Sequence, residues 1–267
     1  MDATKLAKEL IDLHEQPRQV APFSVRYPGL TPELGYAAAR KLHAHRLAQG
    51  WKPAGRKIGF TNRALWERYE VYEPMWGAVY DRTLIWAKNG AAAVSLAGLT
   101  QPRIEPEICF RMKSRPPPTR DPQALLDCIE WIAHSVEIVQ CHHPEWKLTI
   151  ADCTADNGLH GWLIVGTPVA VGKISGLAAA LPFLKLTLRK GGEMKDQGVG
   201  SNVLGSPLLA LGYLVEILAK QKDSPPLEAG EIVSTGTLTD AHPVAAGERW
   251  STDLHGFAVR GLAIEFT

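Results

Sequence analysis

The sequence predicts an α+β protein, a helical N-terminal region packed on a β-rich C-terminal domain. Two observations predict it. Near the N-terminus, apolar residues recur at helical spacing between capping and stop signals. From about Val94 onward, short segments of β-forming residues alternate with Gly and Pro punctuation. The expected division is residues 1–93 as the helical N-terminal region and 94–267 as the β-rich catalytic domain.

Composition agrees with a globular chain. It has 45% hydrophobic and 21% charged residues, too apolar for a disordered one, and its 267 residues can bury a large core. The net charge of +1 comes without a basic block or aromatic-basic interleaving, so no nucleic acid partner is expected. Cys109, Cys128, Cys141 and Cys153 lack C-x-x-C spacing, which suits reduced thiols in a cytoplasmic protein. The amphipathic N-terminus lacks the apolar core of a signal peptide. No uninterrupted apolar run approaches a membrane span, so no membrane partner is expected.

In order, Ala3, Leu6, Leu10 and Leu13 predict a helix over residues 2–15. Pro17, Pro22 and Pro28 interrupt the next stretch. Thr31-Pro32 reads as the cap of a second helix running to about Gln49, stopped by Gly50. His43 and His45 on it face apart and read as solvent-facing. Residues 57–60 form a short segment after a loop, and Thr61-Asn62 caps a third helix over 63–69. Residues 73–77 read as a turn, and 79–86 as strand. Asp121-Pro122 opens a helix ending near His134, followed by strand 135–139. Residues 162–165 and 181–189 read as strands, Gly191-Gly192 as a hairpin turn, and Pro207–Lys220 as a helix. Ile232–Thr237 and residues 249–254 and 257–266 close the chain as strands.

The chemistry concentrates in Arg103–Met112. Read as a strand, it points Arg103, Glu105, Glu107, Cys109 and Arg111 one way, and mostly apolar residues the other. Two neighbouring carboxylates repel, and a hard divalent ion such as Mg²⁺ or Mn²⁺ relieves that repulsion. The alternative is a solvated face with Arg103 and Arg111 as ion partners. Glu137, in the apolar run Ser135-Val-Glu-Ile-Val139, also needs a partner, either an arginine or the same cation. With Glu105 and Glu107 it completes an oxygen set suited to Mg²⁺ or Mn²⁺ better than to zinc. His142 and His143 are adjacent, point apart and have no second pair at ligand spacing, so zinc is not expected. Lys57, near Gly59 at a strand end, reads either as surface or, if the site lies there, as a substrate cation. The Gly-rich run at 198–205 is not framed as a dinucleotide fingerprint, and there is no G-x-S-x-G or P-loop.

Seven blocks in order resemble the 2-keto-4-pentenoate hydratase / 4-oxalocrotonate decarboxylase family of the fumarylacetoacetate hydrolase superfamily. They are Lys57-Ile-Gly-Phe-Thr61, Glu73-Pro-x-x-Gly77, Gln101-Pro-Arg-Ile-Glu-Pro-Glu-Ile108, Val136-Glu-Ile-Val139, Thr154-Ala-Asp-Asn157, Leu204-Gly-Ser-Pro-Leu208 and Ala229-Gly-Glu-Ile-Val-Ser-Thr-Gly236. The resemblance implies a mixed β-roll C-terminal domain. It implies a Mg²⁺- or Mn²⁺-dependent lyase acting on a 2-oxo acid or 2-hydroxy-2,4-dienoate from aromatic compound catabolism. The family's metal ligands fall on Glu105, Glu107 and Glu137, its active-site lysine on Lys57, and a substrate-carboxylate turn on Thr235-Gly-Thr237. Two positions depart from the pattern. Met75 stands where hydratases of the group carry an acidic residue, and Gln140 where the strand motif continues with Asp. Both are expected at the substrate pocket.

A hydratase is the leading expectation. A decarboxylase of an oxalocrotonate-like diacid is the alternative, because losing CO₂ needs no base to activate water and so tolerates Met75. A non-catalytic partner subunit is the third reading. The resemblance further implies a cytoplasmic homo-oligomer that associates with a related pathway enzyme.

Overall fold

The computed structural model describes residues 2–267. Helix α1 (Ala3–Glu15) starts at Asp2, whose carboxylate accepts from Thr4 N. Its Leu6, Leu10 and Leu13 are buried where their spacing puts them. They pack on Phe23 of α2 (Phe23–Arg26) and Ala38 of α3 (Pro32–Ala48). Thr31 caps α3 and Pro32 sits in its first turn, as expected. His43 turns inward more than expected, bonding the Tyr80 hydroxyl (2.8 Å), while His45 stays at the surface beside Glu15 Oε1 (3.1 Å).

The chain then runs β1 (Pro53–Gly59), α4 (Trp66–Tyr69), β2 (Met75–Tyr80), β3 (Leu84–Trp86), β4 (Ala91–Val94), β5 (Arg103–Met112), α5 (Pro122–Leu126), β6 (Ile129–Val139) and α6 (Ile150–Ala155). It continues through β7 (His160–Val165), β8 (Val169–Ala170), α7 (Leu177–Ala180), β9 (Lys185–Lys190), β10 (Glu193–Val199) and α8 (Pro207–Lys220). Strands β11 (Ile232–Thr237), β12 (His242–Pro243), β13 (Arg249–His255) and β14 (Ala263–Phe266) close it.

One sheet has the order β2-β1-β11-β5-β6-β7-β3, with β12 on β5 and β8 on β6. The other has the order β10-β9-β13-β14-β4. Both are mixed: β1 runs parallel to β11 and β14 parallel to β4, among mostly antiparallel pairs. The expected boundary between residues 93 and 94 falls inside β4, while β1–β3 lie in the same sheet as β5–β7.

The helix expected over 121–134 ends at Leu126. Beyond it, Ile129, Trp131, Ile132 and Val136 favour a pleated strand. That strand pairs with β5 along nearly its whole length, which outweighs local helix propensity. The strand expected at 181 begins only at Lys185, after a turn containing Pro182. The last strand is confined to Ala263–Phe266.

Phe110, Ile132, Leu188, Trp250 and Phe266 fill the core together with Leu208, Leu211, Leu214 and Leu218 of α8. Residues Gly200–Lys220 are long and apolar enough to cross a membrane by length and composition. That segment is instead mostly buried inside the protein as its core helix. His134 ties the two sheets together, with Nδ1 2.8 Å from Glu107 O and Nε2 2.8 Å from Thr252 Oγ1.

Candidate metal centre

Strand register assembles the carboxylates. Glu105 of β5 stands directly opposite Glu137 of β6, and directly opposed residues share a face. Glu107, two residues further along β5, keeps that face. One oxygen from each of the three lies within 4.8 Å of the others. Glu107 and Glu137 are fully buried, while Glu105 is partly open to a cavity.

The strands around them fix how each carboxylate presents itself. Pairing of β11 with β5 shifts register between Ser234 and Thr237, a bulge that includes Gly236 at φ +104°. The bulge turns Gly236 N–H onto Glu107 Oε2 (2.8 Å), and Ser234 Oγ donates to the same oxygen (2.6 Å). A Cβ on Gly236 would fall 1.9 Å from Thr61 Oγ1, so glycine is required by space as well as by conformation. Glu137 Oε1 accepts from His160 Nδ1 at 2.8 Å.

Lys57 of β1 is buried, with Nζ 3.0 Å from Glu137 Oε2, and it donates to Gly158 O at 3.0 Å. That carbonyl is held in place by its neighbour Asn157. The Asn157 amide accepts from Ala78 N (2.8 Å) and donates to Ala78 O (2.9 Å) of β2. Gly77, opposite Lys57 in the ladder, leaves room for this, since a Cβ there would come 2.2 Å from Asn157 O. Two of the sequence blocks therefore serve one purpose, seating Lys57.

The electrostatics are those of crowded, buried anions. Burial and the Glu137 and Glu105 charges hold the Glu107 carboxyl well above its ordinary value. Burial pushes Glu105 up to about 7 against the pull of Lys57. Burial also opposes the Glu137 charge, but Lys57 and His160 outweigh it and hold that carboxyl below the usual range. Burial opposes the Lys57 charge too, yet Glu137, Glu105 and Glu107 together keep its ammonium above its usual value. Burial lowers His160, which favours the neutral imidazole.

Glu107 Oε1 and Glu137 Oε2 are buried and receive no hydrogen bond of acceptable geometry, despite the nearby lysine. Buried polar atoms are rarely left so. A bare oxygen on Glu107 and one on Glu137 held only by the Lys57 ion pair, beside a third carboxylate, are the donor set a hard divalent cation takes, so the residues fit Mg²⁺ or Mn²⁺.

The adjoining cavity holds about 310 Å³. Lys57, Thr61, Arg103, Glu105, Thr237 and Asp240 give it polar walls, and Phe60, Met75, Val139, Trp146, Leu148 and Leu159 give it apolar ones. Of the residues singled out from sequence, Glu105, Glu107, Glu137, Lys57, Met75 and Thr237 come together at this place. Thr235 and Gln140 do not. Thr235 follows Ser234 and so faces the other way, where its Oγ1 donates to Ile108 O (2.8 Å). Gln140 lies just past β6, where its Oε1 accepts from Thr100 N at 3.2 Å. His142 and His143 are fully buried and point apart, to Asp156 Oδ2 (2.7 Å) and Val20 O (3.2 Å). Sequence reasoning missed Ser234 and His160. Ser234 was within reach once Thr237 was considered, but nothing local marks His160.

Fold and site define a class: an α+β protein whose mixed sheet sets three carboxylates and a lysine against a small-molecule cavity. No family model matches the chain. A 2-hydroxyhexa-2,4-dienoate hydratase from Comamonas testosteroni is 32% identical over 253 residues, 94% of this chain and 92% of the relative. A 4-oxalocrotonate decarboxylase from a Pseudomonas species is 30% identical over 211 residues, 78% of this chain and 77% of the relative. In three dimensions, the 4-oxalocrotonate decarboxylase from Pseudomonas putida G7, complexed with magnesium and adipate, superposes with a TM-score of 0.90. That match covers 99% of this chain and 97% of the other at 24% identity, and it shows the fold. The chain belongs to the 2-keto-4-pentenoate hydratase / 4-oxalocrotonate decarboxylase family, and it is an enzyme of the lyase class.

Proposed function

We propose that this enzyme is a Mg²⁺- or Mn²⁺-dependent hydratase of a 2-hydroxy-2,4-dienoate with an apolar distal end, working in aromatic catabolism. The observation that carries the proposal is the cluster of Glu105, Glu107 and Glu137, with Glu107 Oε1 bare and Glu137 Oε2 held only by Lys57, at a cavity with one apolar wall of Phe60, Met75, Val139, Leu148 and Leu159. The hydratases among its relatives support the reaction type. The magnesium complex of the decarboxylase supports the choice of ion.

Glu105, Glu107 and Glu137 would hold the cation. When bound, it supplies Lewis-acid stabilisation of the negative charge that develops on the substrate's C2 oxygen. Lys57 adds a fixed positive charge at the same end, suited to the C1 carboxylate. Gly236 and Thr237 line the same end of the cavity. The wall of Phe60, Met75, Val139, Leu148 and Leu159 takes the hydrocarbon end and limits the water reaching it. In the net reaction water delivers hydroxyl to C4, and the water proton and the enol proton are taken up at C5 and C3. The product is a 4-hydroxy-2-oxo acid.

A specific observation favours a second reading, decarboxylation of a diacid. Met75 contributes no proton-transfer group, and Arg103 reaches the cavity stacked 4.2 Å over the Trp146 ring, a cation suited to a far carboxylate. Incubation with Mg²⁺ and each substrate, following the dienol absorbance and CO₂ release, separates the two. The hydratase reading expects dienol loss without CO₂ from the monoacid. CO₂ from the diacid, with an inert monoacid, reverses the assignment. A cytoplasmic homo-oligomer completes the proposal, and light scattering tests the oligomer.

A further inference from the structure

The sequence blocks do not include His160, yet it is the residue that grips Glu137. It opens β7, is fully enclosed, and places Nδ1 2.8 Å from Glu137 Oε1 and Nε2 2.8 Å from Thr83 Oγ1. An ionised carboxylate only accepts, so the Nδ1 position carries the proton. In the neutral ring Nε2 is then an acceptor. The Thr83 hydroxyl can meet it: its 2.8 Å approach to Nε2 is closer than its 3.2 Å alternative to Tyr80 O. A chain of two hydrogen bonds thus runs from Thr83 through the imidazole to one oxygen of Glu137.

The arrangement divides the work of that carboxylate. Oε1 is occupied by the imidazole N–H, and Oε2 accepts no hydrogen bond of good geometry, with Lys57 Nζ 3.0 Å away. Without the imidazole, both oxygens could close on the Lys57 ammonium, and that pairing would compete with a cation. An N–H held on Oε1 by the Thr83 contact fixes the carboxylate's orientation.

We propose that His160, locked by Thr83, is a positioning residue for the metal centre, holding Glu137 so that Oε2 is the oxygen offered to the cation. This rests on the reading of Glu105, Glu107 and Glu137 as the cation site. The test is Mn²⁺ affinity, read as the free-ion electron paramagnetic resonance signal during titration of the whole chain. His160→Leu should weaken binding by about 10- to 100-fold, the usual cost of losing such an outer partner. His160→Asn, whose amide nitrogen can stand where Nδ1 stood, should recover to within about threefold of the parent. Thr83→Val keeps the imidazole but removes its lock, and should weaken binding by roughly threefold or more. Equal affinity in His160→Leu and the parent overturns the proposal, as does an Asn variant as weak as the Leu variant. Should His160→Leu fail to fold, Thr83→Val decides at a half-buried position, and parent-like affinity there overturns it. A parent chain that takes up no Mn²⁺ removes the cation site itself, and this inference with it.

Discussion

At the scale of single residues, the decisive feature is what each carboxylate lacks. Glu107 is clamped through Oε2 and leaves Oε1 with nothing to bond, in a place where burial and two like charges raise its pKa. Glu107→Gln should therefore weaken cation-dependent turnover by about 100-fold or more while keeping the fold, since one hard ligand becomes neutral. The same change removes a like charge from the cluster. Metal-free Glu107→Gln should accordingly melt at or above the metal-free parent by differential scanning calorimetry, and a clear loss of stability would count against mutual repulsion in the cluster. Met75 is a second single-residue test. Met75→Asp should raise hydration if the missing carboxylate limits that reaction, and no gain in kcat would mark Met75 as a plain apolar wall.

At the scale of elements, pairing register and one bulge build the site. Gly236→Ala should cost roughly 1–3 kcal/mol, because alanine resists this backbone conformation and its Cβ meets Thr61. Weakened Mn²⁺ binding should accompany that loss, as the amide bond to Glu107 moves. Away from the site, α1 is tied to the segment after α6 through His14 Nε2 and Asp156 Oδ1, 2.9 Å apart, with His142 on the other oxygen. Burial opposes the Asp156 charge, but His142 and His14 outweigh it and hold the carboxyl well below its ordinary range. A depressed carboxyl stabilises above its unfolded pKa and loses that stability as pH falls through the folded value. His142 is raised despite its burial, chiefly by Asp156, so its share is present at low pH and fades as pH rises through its folded value. Asp156→Asn should thus cost about 3–5 kcal/mol by breaking a buried pair. The difference in melting temperature should be largest between about pH 4 and 6.5 and shrink below that interval. A difference that does not change with pH would contradict it.

These elements also show how much the sequence reveals. Glu105 and Glu107 were legible because strand alternation is local. That Glu137 needs a partner was legible from its apolar run, though the partners the structure supplies are Lys57 and His160 rather than an arginine. Pro207–Lys220 and Ile232–Thr237 read correctly to the residue, with clear caps, turns and patterning. The helix expected to reach His134 was wrong because pairing with β5 decides that stretch, and pairing is not written locally. The resemblance put Thr235 and Thr237 together at the substrate, but Thr235 follows Ser234 and faces the other way, and only the bulge brings Thr237 round to Glu107. His160 could not be found because its partner Glu137 sits on a neighbouring strand, and only the fold brings them together.

At the scale of the whole molecule, the fold brings together groups that repel and leaves a cation to complete them. A bound ion should then stabilise the entire chain. Mn²⁺ at about a hundred times its Kd should contribute roughly 2.7 kcal/mol and raise Tm by about 5 °C, and EDTA should reverse the shift. Whether Glu105, Glu107 and Glu137 form one cation site is read most directly by a Mn²⁺ titration of the parent and of Glu107→Gln. A single ion per chain is expected in the parent, and affinity weaker by about tenfold or more in the variant. Equal affinity in the two, or no binding by the parent, would contradict the shared site.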